Sequence, residues 1–168
     1  MRQVIKTLLY EWKGKALPKA RERKNKVKEY LCIEPKKIMV TTGFRRVGKT
    51  YLLFDCIETL LAEKTREEVI YINFEDERIP LKIEFLTQLL PTIKEEYKEK
   101  TLYLFLDEIQ NIPSWSKCLR RIYDTQDIFL FVTGSNSKLS SNEIPTELRG
   151  RFLEIDVLPL SFEEFLVF

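Results

Sequence analysis

The amino-acid sequence predicts an α/β fold in which a five-stranded parallel sheet carries helices on both faces, giving three α/β/α layers. Five short apolar or β-branched runs alternate with stretches of helical spacing. Two of these runs, 102–106 and 128–133, are apolar at nearly every position, as expected for strands that helices cover on both sides. The 168 residues, 44% of them hydrophobic, are enough for one domain with a buried core and exclude an intrinsically disordered chain.

Residues 1–35 predict a basic helical lead that packs on the core. One face of a first helix collects apolar side chains at helical spacing: Val4, Ile5, Leu8, Leu9 and Trp12. Residues 19–31 predict a second, strongly charged helix that ends before Pro35. This lead holds 10 Lys and Arg against 4 Asp and Glu, whereas residues 36–168 hold 18 against 22. We therefore expect two units, the lead 1–35 and a core 36–168.

Strands and helices alternate from residue 37 onward. The predicted strands cover 38–42, 69–74, 102–106, 128–133 and 152–157. The predicted helices cover 51–63, about 82–98 and 116–124, with a break or a bend at Pro91 and with Ser114 or Ser116 as the cap of the last one. A capping box begins at Ser161, and the sequence ends about two turns later, so we expect a fragment of a longer protein.

Residues 43–50 match the pattern G-x-x-x-x-G-K-[ST] at every fixed position. An apolar strand precedes this run and an amphipathic helix follows it, which is the context of a phosphate-binding loop. In such a loop, glycines let backbone N–H groups turn toward phosphate oxygens, a lysine reaches the β- and γ-phosphates, and a hydroxyl ligates Mg²⁺. The predicted nucleotide-binding residues are Gly43, Phe44, Arg45, Arg46, Val47, Gly48, Lys49, Thr50 and Tyr51, with Lys49 also catalytic.

Asp107 and Glu108 follow the apolar run 102–106, at the carboxyl end of a predicted buried strand. An acidic residue at this place can hold Mg²⁺ together with Thr50, so Thr50 and Asp107 are the predicted metal ligands. The adjacent Glu108 can orient and polarise an attacking water, which favours hydrolysis. A small-molecule kinase has less use for this second carboxylate and is the least favoured interpretation.

Two weaker elements complete the predicted site. Ser135 or Asn136, after the fourth strand, can contact the γ-phosphate or the attacking water, although turns favour the same residue types. Arg149 and Arg151 flank Gly150 just before the fifth strand. Exposed arginines usually face solvent, but at a subunit edge one of them can reach a neighbour's γ-phosphate as an arginine finger.

Together, and in this order, these elements resemble the AAA+ superfamily of P-loop ATPases. More closely, the sequence resembles the archaeal and bacterial AAA+-type ATPases that carry a C-terminal domain of unknown function. The resemblance covers about residues 36–166, and its matching stretches are 41–50, 72–76, 105–111, 132–135, 148–152 and 158–162.

The resemblance implies a P-loop NTPase fold with strand order 5-1-4-3-2 and implies ATP as the nucleotide. It gives Ser135 or Asn136 the role called sensor 1. It implies that Arg151, with Arg149 as the alternate, is a finger acting in trans within a homo-oligomer. It also implies a helical lid and a C-terminal domain, neither of which lies within residues 36–168.

The sequence therefore predicts a Mg²⁺-dependent core that binds and hydrolyses ATP and couples its nucleotide state to a lid, a further domain or a protein partner. The alternative is a nucleotide-dependent nucleic-acid-binding or regulatory switch with little turnover. In that case the basic residues of 19–28 would contact nucleic-acid phosphates.

Composition narrows the setting of this chemistry. The sequence has no histidine, and its three cysteines form no C-x-x-C pair, so a zinc site, a disulfide framework and histidine-based catalysis are not expected. No apolar run approaches the roughly 18 residues of a membrane span, and no secretory signal is visible. We expect a cytoplasmic protein without membrane contact.

Overall fold

Five parallel strands form the central sheet. The computed structural model describes residues 1–19, 23, 27–31, 33–98, 101–134 and 146–167. The strands are β1 (Ile38–Gly43), β2 (Val69–Asn73), β3 (Leu102–Asp107), β4 (Ile128–Thr133) and β5 (Phe152–Val157). They lie in the order β2-β3-β4-β1-β5, and every neighbouring pair is parallel. The predicted fold class and strand order are thus confirmed.

Helices cover both faces of this sheet and give it two cores. The α-helices are α1 (Arg2–Gly14), α2 (Lys49–Leu61), α3 (Ile83–Tyr97), α4 (Trp115–Thr125) and α5 (Phe162–Val167). One core joins the sheet to α1, α3 and α4, and the other joins it to α2 and to Trp12, Val27 and Leu31 of the lead. Short 3₁₀ turns lie at Val27–Tyr30, Ile109–Asn111 and Thr146–Leu148. Within the described ranges, none of the helices has both the length and the apolar character that crossing a membrane would require.

Helix α1 forms as its spacing predicts and attaches the lead to the sheet. Its apolar face buries Ile5, Leu9 and Trp12. The Trp12 indole N–H donates to the carbonyl oxygen of Val69 at 2.7 Å, which ties α1 to the first residue of β2. Burial of this face against α3 and β2 supplies the stability that a short isolated helix lacks in water.

The predicted second helix over 19–31 is wrong where the structure describes this range, and residues 20–22 and 24–26 lie outside the described residues. Lys19 and Arg23 are not helical, and the described part of this segment holds only the 3₁₀ turn Val27–Tyr30. Like charges at Lys19 and Arg23, four residues apart, disfavour a helix here. The Arg23 side chain instead bonds to the carbonyl oxygens of Val47 and Leu158, so tertiary contacts replace the local propensity.

Helix ends follow the sequence in one case and depart from it in another. The capping box at α5 is confirmed, since Ser161 N–H donates to the Glu164 carboxylate at 2.8 Å and Glu164 N–H donates to Ser161 Oγ at 3.2 Å. Ser114 occupies the N-cap position of α4, but its side chain makes no capping hydrogen bond. Its φ of 58° lies outside the extended region in which a capping hydroxyl reaches back to the helix. Pro91 lies inside α3.

Candidate functional site

The phosphate loop connects β1 to α2 at the carboxyl edge of the sheet. Gly43 and Gly48 have φ values of +148° and +98°, and Arg46 has a φ of 68°. A Cβ on Gly43 would lie 2.6 Å from the carbonyl oxygen of Val157, whereas a Cβ on Gly48 would meet open space. Gly43 is therefore required both by its positive φ and by the close approach of β5, whereas Gly48 is required by its positive φ alone.

Lys49 is the first residue of α2, and its side chain turns back into the loop. It is 5% exposed, and its ammonium donates to the carbonyl oxygens of Gly43 and Phe44, both at 3.0 Å. These two bonds hold the charge inside the turn. Phe44 and Arg45, by contrast, are exposed on the outside of the loop.

The Asp107 carboxylate, at the end of β3, accepts hydrogen bonds from three hydroxyl groups. Thr50 Oγ1 and the Tyr71 hydroxyl donate to Oδ2 at 2.9 and 2.8 Å, and Thr133 donates to Oδ1. Asp107 is 1% exposed, so these bonds replace the water that a buried carboxylate loses. Burial and the neighbouring carboxylate raise the pKa of Tyr71 well above its ordinary value, which keeps this hydroxyl a donor. The two predicted metal ligands, Thr50 and Asp107, are thus in direct contact.

The Thr133 hydroxyl group forms hydrogen bonds with both acidic residues, the Glu108 backbone and the Asp107 carboxylate. The Glu108 N–H donates to Thr133 Oγ1 at 3.0 Å, and its carboxylate accepts from the side-chain amide of Gln110. Its φ of 56° is uncommon for a residue other than glycine, and such strain concentrates at functional sites. The Thr133 hydroxyl therefore fixes the position of both acidic residues relative to each other.

The oxygen donors of this site fit a magnesium ion. Mg²⁺ is usually held by one or two protein oxygens together with waters and substrate phosphates. Thr50 Oγ1 and the Asp107 carboxylate are such donors, and they lie beside the loop that would hold the phosphates.

A cavity of about 570 Å³ lies next to the phosphate loop. Its volume falls within the range of small-molecule sites. The cavity is lined by the phosphate loop, by α2, by the lead and by the segment after β5. The lining residues are Lys19, Arg23, Arg46, Val47, Gly48, Tyr51, Leu52, Asp55, Pro159 and Leu160. Three predicted loop residues, Arg46, Val47 and Gly48, and the predicted Tyr51 thus face one cavity.

Arg23 joins three distant segments at the wall of this cavity. Its guanidinium donates to the carbonyl oxygens of Val47 at 3.1 Å and of Leu158 at 2.9 Å, and it forms an ion pair with Glu164 at 3.3 Å. The two charged side chains are only 12% and 10% exposed. The sequence offers no signal for this role, because Arg23 stands among other basic residues.

The predicted arginine fingers lie on the surface, away from these contacts. Arg151 forms an ion pair with Asp124 at 2.8 Å, and this carboxylate raises the pKa of Arg151. Arg149 is exposed. Ser135 and Asn136, the two candidates for sensor 1, lie outside the described residues.

Sequence reasoning missed Tyr71 and Thr133. Thr133 ends β4 at the same edge of the sheet where Asp107 ends β3, so the argument that singled out Ser135 also applies to it. Tyr71 lies in a strand run and packs its ring against Trp12 and Phe54, as is typical of a core aromatic residue. In the sequence, only its hydroxyl group indicates a role beyond packing.

Comparison with known proteins decides the family. A family model described as an AAA domain matches residues 35–166. The chain belongs to this family. The chain is also similar to an uncharacterised protein of Methanocaldococcus jannaschii, with 47% identity over 135 residues, and to an uncharacterised protein of Haemophilus influenzae, with 36% identity over 131 residues.

These alignments cover 80% and 77% of the chain but only 29% and 33% of the two relatives, so the chain spans about a third of their length. A second uncharacterised M. jannaschii protein is 32% identical over 85% of the chain and 30% of its own length. Among solved structures, the Aeropyrum pernix Orc1 protein in complex with DNA has a similar fold. The TM-score is 0.60 at 14% identity, over 84% of this chain and 46% of that one. Residues 35–166, called the AAA core below, thus have the fold of a P-loop NTPase and belong to a family of P-loop NTPases.

Proposed function

We propose that this AAA core binds ATP with Mg²⁺ and hydrolyses it. The observation that carries the proposal is the 2.9 Å contact between Thr50 of the phosphate loop and Asp107 of β3, with Lys49 buried in the same loop. This contact joins the phosphate-binding and metal-binding halves of the predicted site. Glu108, next to Asp107, adds a carboxylate for the water.

Each residue has a separate task in this mechanism. Lys49 and the loop N–H groups hold the β- and γ-phosphates, and Thr50 with Asp107 would hold Mg²⁺, which neutralises charge on the phosphate oxygens. Glu108 orients the attacking water and accepts hydrogen bonding from it, while Gln110 restrains the Glu108 carboxylate. Ser135 or Asn136 would contact the γ-phosphate as sensor 1.

The remaining parts of the proposal concern assembly. In a homo-oligomer, Arg151 or Arg149 would act in trans on a neighbour's γ-phosphate, and Arg151 would first have to leave Asp124. The cavity beside the loop would receive the nucleoside. The lead 1–35 packs on the core 36–168. The nucleotide state of this core would then be coupled to a lid, a further domain or a protein partner. The setting we propose is the cytoplasm.

Calorimetric titration with ATP and with a slowly hydrolysed analogue, with and without Mg²⁺, tests the proposal. We expect Mg²⁺ to strengthen binding and Lys49→Ala to weaken it about 10- to 100-fold, because charge-assisted bonds to phosphate are lost. Lys94→Ala, at an exposed position of α3, is the matched control and should bind like the unaltered protein. Equal binding by Lys49→Ala and Lys94→Ala would contradict the proposal.

A second candidate function is a nucleotide-dependent nucleic-acid-binding switch, which the DNA complex of the structurally similar Orc1 protein favours. Arg23 is engaged with Val47, Leu158 and Glu164, so Lys19, Arg21, Lys24, Lys26 and Lys28 would carry the contacts. Lys19→Glu should then reduce the salt dependence of DNA binding by about one phosphate contact. An unchanged slope, or no DNA binding at all, would count against this candidate.

A further inference from the structure

Asp107 is held from both sides of its carboxylate by hydroxyl groups that come from different elements. Thr50 belongs to α2, Tyr71 to β2 and Thr133 to β4. Two of the three, Thr50 and Tyr71, donate to the same oxygen, Oδ2. The predicted ligands Thr50 and Asp107 account for the first of these bonds, and Tyr71 has no part in the mechanism described so far.

The direction of the Thr50 proton decides whether Thr50 can ligate a cation. A hydroxyl group has one proton and two lone pairs. When the proton of Thr50 points to Asp107 Oδ2, the lone pairs remain for a metal ion. This arrangement requires Oδ2 to stay where Thr50 can reach it, so rotation of the Asp107 carboxylate has to be restrained.

Tyr71 supplies this restraint from the neighbouring strand. Its hydroxyl lies 2.8 Å from Oδ2, and its ring is fixed by packing against Trp12 and Phe54, with ring centroids 5.6 and 4.9 Å away. Tyr71 is 7% exposed, so water does not readily replace its hydroxyl group. Thr133 holds the opposite oxygen, and the two together define one rotation of the carboxylate.

We propose that Tyr71 is a positioning residue for the magnesium site: through Asp107 it keeps the Thr50 proton turned away from the cation. This inference rests on the proposed function, because it assumes that Thr50 and Asp107 hold Mg²⁺. It adds a requirement for a hydroxyl group on β2, whereas a packing role alone would require only an aromatic ring.

The substitution Tyr71→Phe separates the two roles, because it keeps the ring and removes the hydroxyl group. Tyr97→Phe is the matched control, since Tyr97 is a buried tyrosine of α3 whose hydroxyl donates to the Leu9 carbonyl oxygen at 3.3 Å. Both substitutions remove one buried hydroxyl bond, but only the first removes it from Asp107.

The test measures Mn²⁺ binding by electron paramagnetic resonance in the presence of ADP, and ADP binding by calorimetry in EDTA. We expect Tyr71→Phe to weaken Mn²⁺ binding about tenfold, the lower end of the effect of removing a residue that orients a metal ligand, because Thr133 still holds Asp107. ADP affinity in EDTA should stay within about twofold of the unaltered protein, and Tyr97→Phe should change neither quantity.

The other outcomes overturn the inference in distinguishable ways. If Tyr71→Phe binds Mn²⁺ as tightly as the unaltered protein, the hydroxyl group does not position Asp107. If Tyr71→Phe lowers ADP affinity in EDTA as much as it lowers Mn²⁺ affinity, Tyr71 acts through general packing. If the unaltered protein with ADP binds no Mn²⁺, the proposed function fails, and this inference fails with it.

Discussion

Replacing Gly43 by alanine measures how tightly β5 constrains the phosphate loop. The added Cβ would lie 2.6 Å from the Val157 carbonyl oxygen and 3.0 Å from the Val47 side chain, at a φ of +148°. The carbonyl oxygen belongs to a strand paired with β1 over six residues, so it cannot move without disturbing the sheet. An unfavourable φ costs about 1–3 kcal/mol and forced overpacking about as much again. We expect the free energy of unfolding to fall by about 4 kcal/mol.

Two other glycines provide matched controls for this substitution. Gly48 has a φ of +98° but open space around its Cβ position, so Gly48→Ala should cost only the backbone strain, about 2 kcal/mol. Gly14 ends α1 and also has open space, so Gly14→Ala should stabilise the protein by about 0.5–1 kcal/mol. Each of the three variants adds one methyl group to the unaltered protein, and only Gly43→Ala adds a steric clash.

Urea unfolding followed by tryptophan fluorescence gives the three free energies, since Trp12 and Trp115 are both buried. The reasoning requires Gly43→Ala to be the most destabilised of the three by a clear margin. If Gly43→Ala is no less stable than Gly48→Ala, then β5 gives way at little cost, and the close approach does not explain the first glycine.

Three further predictions concern stability. Trp12→Phe should lower the free energy of unfolding by about 1–3 kcal/mol, because the Val69 carbonyl loses a buried hydrogen-bond donor. The control Tyr10→Phe changes a side chain that is 80% exposed and should alter the free energy of unfolding by less than about 0.5 kcal/mol. Equal values for the two variants in urea unfolding would refute this prediction. Arg23→Gln should cost about 3 kcal/mol and the exposed Arg2→Gln less than about 1 kcal/mol, and similar losses would show that the Arg23–Glu164 pair behaves as a surface pair. Burial raises the pKa of Tyr97 to about 12, so the folded state keeps a proton that the unfolded state loses above about pH 10. The free energy of unfolding should therefore fall between pH 10 and 12. Tyr97→Phe should make this fall shallower, and an unchanged pH profile would contradict the assignment.

The fold follows from patterns that the sequence displays directly. The apolar runs that became β3 and β4 are buried at every position, and their length and spacing sufficed to predict parallel strands between helices. The strand order came from the resemblance to a family, since alternation alone does not say which strands are neighbours. The helix prediction over 19–31 rested on composition, and it fails at Arg23, whose side chain contacts carbonyl groups that are distant in sequence.

The candidate site was predictable where its residues are consecutive and was missed where they are not. The loop 43–50 and the pair Asp107 and Glu108 are local motifs. Tyr71 and Thr133 reach Asp107 from strands on either side of β3, and that contact depends on strand order, register and the side of the sheet to which each residue points. The sequence alone does not reveal the strand order, the register or the side of the sheet for Tyr71, which also has the character of a core residue.

The Arg23 contact has a consequence for the order in which the protein acquires its structure. The guanidinium that bonds to the phosphate loop at Val47 also bonds to Leu158, 135 residues away, and to Glu164, 141 residues away. Closing loops of this length is slow compared with forming local helices. During synthesis, moreover, Arg23 emerges long before either partner. The loop can therefore reach its final setting only after Leu158 and Glu164 have been made, so competence to bind a phosphate is expected to appear after the local helices have formed.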